Sequence, residues 1–230
     1  MTGTPTTPRM LDLFCGRLGW GRAFAERGWE VTGVDMAMPS AEFIPEGATV
    51  LNLDVLTIDA DWIRRRDFGF ICASPPCEQF SVHGMKHFHP NPPYPELGIK
   101  LFNHTRELCE AAGVPYVMEN VRPAQQFVGT ATAHCGPFYL WGTGVPPILP
   151  QGIKKAIEMG NSKIINRLTG EARTKYRREH THLGRIGWHG SKERAIATAG
   201  FATIPPELAA AVADYATRIC EALQEKQLLR

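Results

Sequence analysis

Residues 10–35 leave this chain few ways to fold. Met10-Leu11-Asp12-Leu13-Phe14 is a short apolar run suited to a buried strand, and it leads into Cys15-Gly16-Arg17-Leu18-Gly19-Trp20-Gly21, a glycine-rich turn. Arg22 to Arg27 has a helical pattern, Gly28 stops it, and the segment from Trp29 to Asp35 is a second strand ending on an acid. Strand, glycine loop, helix and strand in this order predict a crossover unit of a mostly parallel α/β sheet. Such a layout suits a nucleotide-type ligand: glycines admit it close to the backbone, and the acid accepts from ribose hydroxyls. No Lys-Ser/Thr pair follows the loop, which disfavours a phosphate-gripping NTPase site.

The strands continue in the same style. Ala48 to Leu51 is a third, with Asp54 close behind it either as an acceptor for an adenine amino group or as a helix N-cap. Trp62 to Arg66 is a short basic helix or turn. Phe68 to Ala73 is a buried strand, stopped by Pro75-Pro76, which cannot donate to a ladder and which stiffen the exit. Cys77 follows that corner at the carboxyl end of the strand, where open α/β sheets place their ligands. By position alone it is either a reactive thiol or a buried structural one. Val82 to Pro95 is a long irregular loop of the kind that serves as a lid. Its His83, His87 and His89 have no partner at metal-ligand spacing, so no metal is expected.

Glu96 to Ala112 reads as a helix stopped by Gly113. Val114 to Met118 is a fifth strand, with Glu119-Asn120-Val121 at its carboxyl end; a carboxylate there needs a partner or a task. Cys77 and Glu119 should therefore share one edge of the sheet. Phe127 to Leu149 offers one or two further short strands. A last helix opens at Ile204-Pro205-Pro206-Glu207, and its Leu208, Val212, Tyr215, Ile219 and Leu223 form a stripe expected to face a core.

Charge separates one region from the rest. Residues 151–195 hold eleven Lys/Arg against four Glu, a local excess of +7 in a chain whose net charge is +2. That leaves −5 elsewhere, the pattern of a polyanion-binding segment on an acidic body. The predicted organisation is one domain, 1–150 with 196–230, carrying a basic insertion at 151–195. No stretch approaches the roughly 20 apolar residues that span a bilayer. The first nine residues lack a signal core, and six scattered cysteines fit a reducing compartment. A cytoplasmic protein with no membrane partner is expected.

Together these motifs resemble the C5-cytosine DNA methyltransferases, in a compact form like phage or bacterial solitary enzymes. Leu11-Asp12-Leu13-Phe14-Cys15-Gly16 is similar to the family's first cofactor motif, Pro76-Cys77-Glu78-Gln79-Phe80-Ser81 to its catalytic PCxxFS motif, and Glu119-Asn120-Val121 to its ENV motif. Ile204 to Ala209 is similar to the last motif. The resemblance implies a Rossmann-like S-adenosylmethionine-dependent fold with helices on both faces of the sheet. It implies Phe14, Gly16, Gly19, Asp35, Asp54 and Pro75 beside S-adenosylmethionine. Pro76, Phe80, Ser81, Asn120, Arg177 and Arg178 are then expected at the substrate.

Cys77 would add to C6 of an extruded cytosine, and Glu119, protonated at a raised pKa, would bind N3. Double-stranded DNA is the implied partner of a monomeric enzyme, with a short or relaxed target site, as in restriction-modification. Two departures stand out. Leu18 occupies the place of the first glycine of a pair, and the glutamine-and-arginine motif has no clear counterpart. RNA cytosine methylation, an amino-group methyltransferase (from Ser74-Pro75-Pro76) and a catalytically weakened DNA-binding or decoy module are the alternatives.

Overall fold

The computed structural model describes residues 7–80, 95–153 and 204–228. The chain divides into two units, Met1–Gly152 with Ile204–Arg230 and, separately, Ile153–Thr203. Among the described residues of the first unit the strands are β1 (Arg9–Leu13), β2 (Glu30–Asp35), β3 (Thr49–Asn52), β4 (Phe70–Ala73), β5 (Tyr116–Asn120), β6 (Ala133–Cys135) and β7 (Phe138–Trp141). They form one sheet in the order β3-β2-β1-β4-β5-β7-β6. The first five are parallel to one another, and β7 runs antiparallel between β5 and β6.

Side chains of a strand alternate between faces, and here both faces are covered. Leu11, Leu13, Ile71, Ala73 and Met118 share a core with Ile63 of α2 (Ala60–Arg64), with Phe102 and Leu108 of α3 (Glu96–Ala112) and with Val128 of α4 (Gln125–Val128). On the opposite face Phe24 of α1 (Gly19–Ala25) packs on Phe70, with ring centroids 5.6 Å apart. There α5 (Pro206–Leu228) is tied to the α1–β2 region by Arg27–Asp214 (2.6 Å) and by Trp29 Nε1 donating to Thr217 Oγ1 (3.1 Å). The result is a Rossmann-like α/β fold, mostly parallel, as the sequence predicts.

Several boundaries differ from expectation for local reasons. α1 starts three residues early, because Leu18 takes a left-handed N-cap conformation (φ 54°, ψ 45°) and Asp12 reaches up from β1 to accept from Gly21 N–H. β5 runs to Asn120, so Glu119 and Asn120 belong to the strand itself. The region after Phe127 contributes the two expected strands as an antiparallel hairpin that turns at Gly136 (φ 57°). The α5 stripe holds only for its first turns. Leu208 and Val212 are buried with Ala209, Ala213 and Ala216, whereas Leu223 is 47% exposed. Small alanines let α5 lie close, and the larger side chains further along run out past the edge of the core. Among the described residues no helix is long and apolar enough to cross a membrane.

Candidate active site

Sheet register determines which residues reach the ligand edge. Leu51, Val34, Leu13, Ala73 and Met118 lie side by side across β3, β2, β1, β4 and β5. One residue further along these parallel strands stand Asn52, Asp35, Phe14, Ser74 and Glu119. They therefore form a row at the carboxyl ends, the end at which such sheets bind ligands.

The glycine loop curls back over this edge through left-handed backbone at Phe14 (φ 55°), Gly16 (φ 48°) and Leu18 (φ 54°). Asp35 fastens it: Oδ2 accepts from Gly16 N–H (2.9 Å) and Oδ1 from Ala37 N–H (2.8 Å). Each carboxylate oxygen has a second lone pair, so Asp35 keeps acceptor capacity for a ligand. A side chain at Gly16 would meet nothing within 4 Å, which leaves open space above the loop. Leu18 is wholly buried. Its Cδ2 fills room that Gly21 and Gly33 leave, lying 2.9 Å and 3.1 Å from where their Cβ atoms would be. Gly19, expected at the cofactor, also lies against another part of the chain. Its Cβ would lie 3.2 Å from Ile204 N, so its bareness serves the docking of the segment entering α5.

Beneath the loop Asp12 is 1% exposed, with Oδ2 on Gly21 N–H (3.0 Å) and Oδ1 without a hydrogen-bond partner. Burial holds its pKa well above the usual carboxylate range, against the Gly21 bond and with help from the Asp35 charge. Burial likewise raises the thiol pKa of Cys15, Cys72, Cys135 and Cys220, and pushes Cys109 up to about 12. Those five sulfurs are held as protonated thiols, which are poor nucleophiles.

The sixth, Cys77, is half-buried on the corner after β4. Ser74 N–H continues the ladder to Leu13 O (3.2 Å), and Trp20 Nε1 donates to Ser74 Oγ (3.0 Å). Pro75 is buried and Pro76 exposed. Asn120 Nδ2 donates to Pro75 O (3.0 Å) while its Oδ1 accepts from Val121 N–H (2.9 Å). After Cys77 a single 3-10 turn, Glu78–Phe80, is closed by Phe80 N–H on Cys77 O (3.0 Å).

Two assignments change here. Phe80 and Asn120, expected to touch substrate, both face the interior. Phe80 is 1% exposed and stacks on Phe127 (5.9 Å between centroids), and Asn120 is wholly buried with its carboxamide bonded at both ends. Their task is to hold the corner. Glu119 is half-buried and lies on the β-strand next to the one that leads to Cys77. Asp54 caps the turn that follows it, its Oδ1 accepting from Leu56 N–H (2.9 Å). Pro75, expected at the cofactor, is buried, with its carbonyl accepting from Asn120.

Ser81, Arg177, Arg178 and the three loop histidines lie outside the described residues. Among the described residues no cluster of three His, Cys, Asp or Glu side chains suits a metal. Sequence reasoning missed Met36, Met38 and Leu53, which are 72%, 53% and 36% exposed beside Asp35 and Asn52. The available signal was Asp35-Met36-Ala37-Met38, apolar residues where a turn would ordinarily be polar.

No protein-family model matches the chain, and no curated protein matches it. Among solved structures it is similar to a Spodoptera frugiperda DNMT2 variant (23% identity, TM-score 0.35) and to S. pombe Dnmt2 (17%, TM-score 0.37). Each alignment covers 52% of this chain but only 37% and 35% of those proteins. It is also similar to the Entamoeba histolytica methyltransferase EhMeth (15% identity, TM-score 0.42), over 74% of this chain and 62% of that one.

Proposed function

We propose that the chain transfers a methyl group from S-adenosylmethionine to C5 of a cytosine in DNA, through a covalent bond between Cys77 Sγ and C6 of an extruded base. The observation that supports this reading most is the Asn120–Pro75 hydrogen bond (3.0 Å), which ties the strand carrying Glu119 to the corner carrying Cys77. This tie supports a reading in which thiol and carboxylate act from one edge, the edge that presents the glycine loop and Asp35.

The residues present fit S-adenosylmethionine. Asp35 has acceptor capacity for ribose hydroxyls, Gly16 opens onto unfilled space, and Met36 and Leu53 offer apolar surface to a purine. When bound, that cofactor supplies an electrophilic methyl group. The protein's part is to make C5 of cytosine nucleophilic. Cys77, as thiolate, adds through Sγ to C6, and the ring electrons are displaced toward N3, where Glu119 in its protonated form donates. C5 then accepts the methyl group. Transfer of the C5 proton to water releases the electron pair that expels Sγ, Glu119 takes back the N3 proton, and the ring is restored. Pro75 and Pro76 fix the direction of approach, the basic 151–195 segment follows backbone phosphates, and Arg177 and Arg178 are the candidates to contact the cytosine.

Incubation with labelled S-adenosylmethionine and DNA containing 5-fluorocytosine tests this, since fluorine at C5 cannot be lost as a proton. A covalent protein–DNA adduct is expected, absent from Cys77→Ala. An adduct formed only with the equivalent RNA would move the substrate to RNA. Methyl transfer to an amino nitrogen without an adduct would overturn the mechanism, and salt-sensitive DNA binding without any transfer would make the chain a binding module.

A further inference from the structure

Helix α3 has seventeen residues, yet its own N-cap, Pro95, supplies no side-chain hydrogen bond to the first turn. The missing acceptor comes from elsewhere. Gly98 N–H donates to Gln79 Oε1 at 2.6 Å, across nineteen residues of sequence. The same glycine is in tight contact with the turn after Cys77: a Cβ on Gly98 would stand 3.0 Å from Gln79 Cβ and 3.1 Å from Phe80 Cζ. Gln79 therefore sits two residues from Cys77 in a turn closed by the Phe80–Cys77 backbone bond, pinned from one side by the Phe80–Phe127 stack and from the other by α3.

We propose that Gln79 is a positioning residue for Cys77: by capping α3 at Gly98 it locks the turn on which the sulfur is carried. This rests on the reading of Cys77 as the nucleophile. A thiolate adding to C6 must meet the ring at one angle and distance, and a misplacement of about 1 Å is enough to cost roughly a hundredfold in rate. The turn's backbone closure ties it only to Cys77 itself, whereas the Gln79 bond ties it to a long, packed helix. Gln79 touches neither cofactor nor base in this scheme; it acts through the backbone between itself and Cys77.

The test compares Gln79→Ala, Gln79→Glu and Gly98→Ala in the full chain. In single-turnover trapping by 5-fluorocytosine DNA, Gln79→Ala is expected to form the adduct about ten- to a hundredfold more slowly, with cofactor affinity within about twofold of wild type. Gln79→Glu retains an acceptor at a helix N-terminus and should recover the rate to within about threefold. Gly98→Ala, which forces a Cβ between helix and turn, should be slow even with Gln79 in place. Equal adduct rates in wild type and Gln79→Ala, or no recovery in Gln79→Glu, would overturn the proposal. If wild type forms no adduct at all, the C5 chemistry fails. The clamp is then judged by Cys77 alkylation with iodoacetamide, read by peptide mass. A several-fold change in Gln79→Ala that Gln79→Glu reverses supports it, and unchanged alkylation rejects it.

Discussion

Asn120→Ala puts a number on the tie between β5 and the nucleophile corner. Asn120 is 0% exposed, and the substitution removes a donor and an acceptor at once, stranding Pro75 O and Val121 N–H. A buried polar group left unmet costs about 1–3 kcal/mol. Pro75 O should lose most of that, whereas Val121 N–H, in a half-buried residue, is partly rescued by water. The expected destabilisation is about 2–4 kcal/mol. Asn52→Ala is the matched control: its Nδ2 donates to Met36 O at 2.7 Å, but in an exposed setting, so its loss should cost no more than about 0.5 kcal/mol. Urea unfolding at pH 7 measures both, with the midpoint falling at unchanged slope for Asn120→Ala. Asn120→Asp keeps the Val121 bond but sets a carboxylate against the Pro75 carbonyl. Its pKa should rise, so its stability should improve as pH falls. If Asn120→Ala and Asn52→Ala lie within 0.5 kcal/mol of each other, by about the precision of such data, the corner is not held by this side chain.

Two further outcomes follow from the buried loop. Asp12 has a pKa raised chiefly by burial, so between the unfolded carboxylate value and its folded value the native state holds the extra proton. Its contribution to stability is therefore full below about pH 4 and is lost as pH rises, at up to about 1.4 kcal/mol per pH unit. Asp12→Asn should flatten that slope in urea melts taken from pH 4 upward, and an unchanged slope would show Asp12 ionised in the fold. Leu18→Gly relieves a left-handed conformation worth about 1–2 kcal/mol but empties a site whose filling is worth about 2–5 kcal/mol. A net loss of about 1–3 kcal/mol is expected from these two effects; a more stable variant would mean that strain, not packing, dominates at Leu18.

The extent to which such features could be foreseen follows the range of the interactions involved. The bounds of α3 were legible because its stop is local: Gly113 takes φ 72° and its N–H returns to Cys109 and Glu110 carbonyls. The common edge of Asp35, Cys77 and Glu119 was legible too, since apolar runs ending in an acid or a proline corner reveal strand ends and direction. What Phe80, Asn120 and Gly19 do was not. Their partners, Phe127, Pro75 and Ile204, lie far off in sequence, and short motifs carry no mark of a distant contact. Leu18 was visible only as a departure from a glycine pair. Its reason, the space above Gly21 and Gly33, exists only once β2 and α1 are packed. The far end of α5 misled for a similar cause: its period was right for a helix, but period alone does not say where the core ends.

The contact between Gly19 and Ile204 also bears on how the protein is made. A ribosome releases the glycine loop first and the segment that covers it last, so the strands can pair long before α5 exists. Until then Gly19, Trp29 and the β4 entrance at Gly69 lack the partners they later find in Ile204, Thr217 and Cys220. Nascent chains would thus carry a bare apolar face through most of translation. Truncation at residue 203, which removes the segment that meets Gly19 and the helix that follows it, should therefore leave product that aggregates.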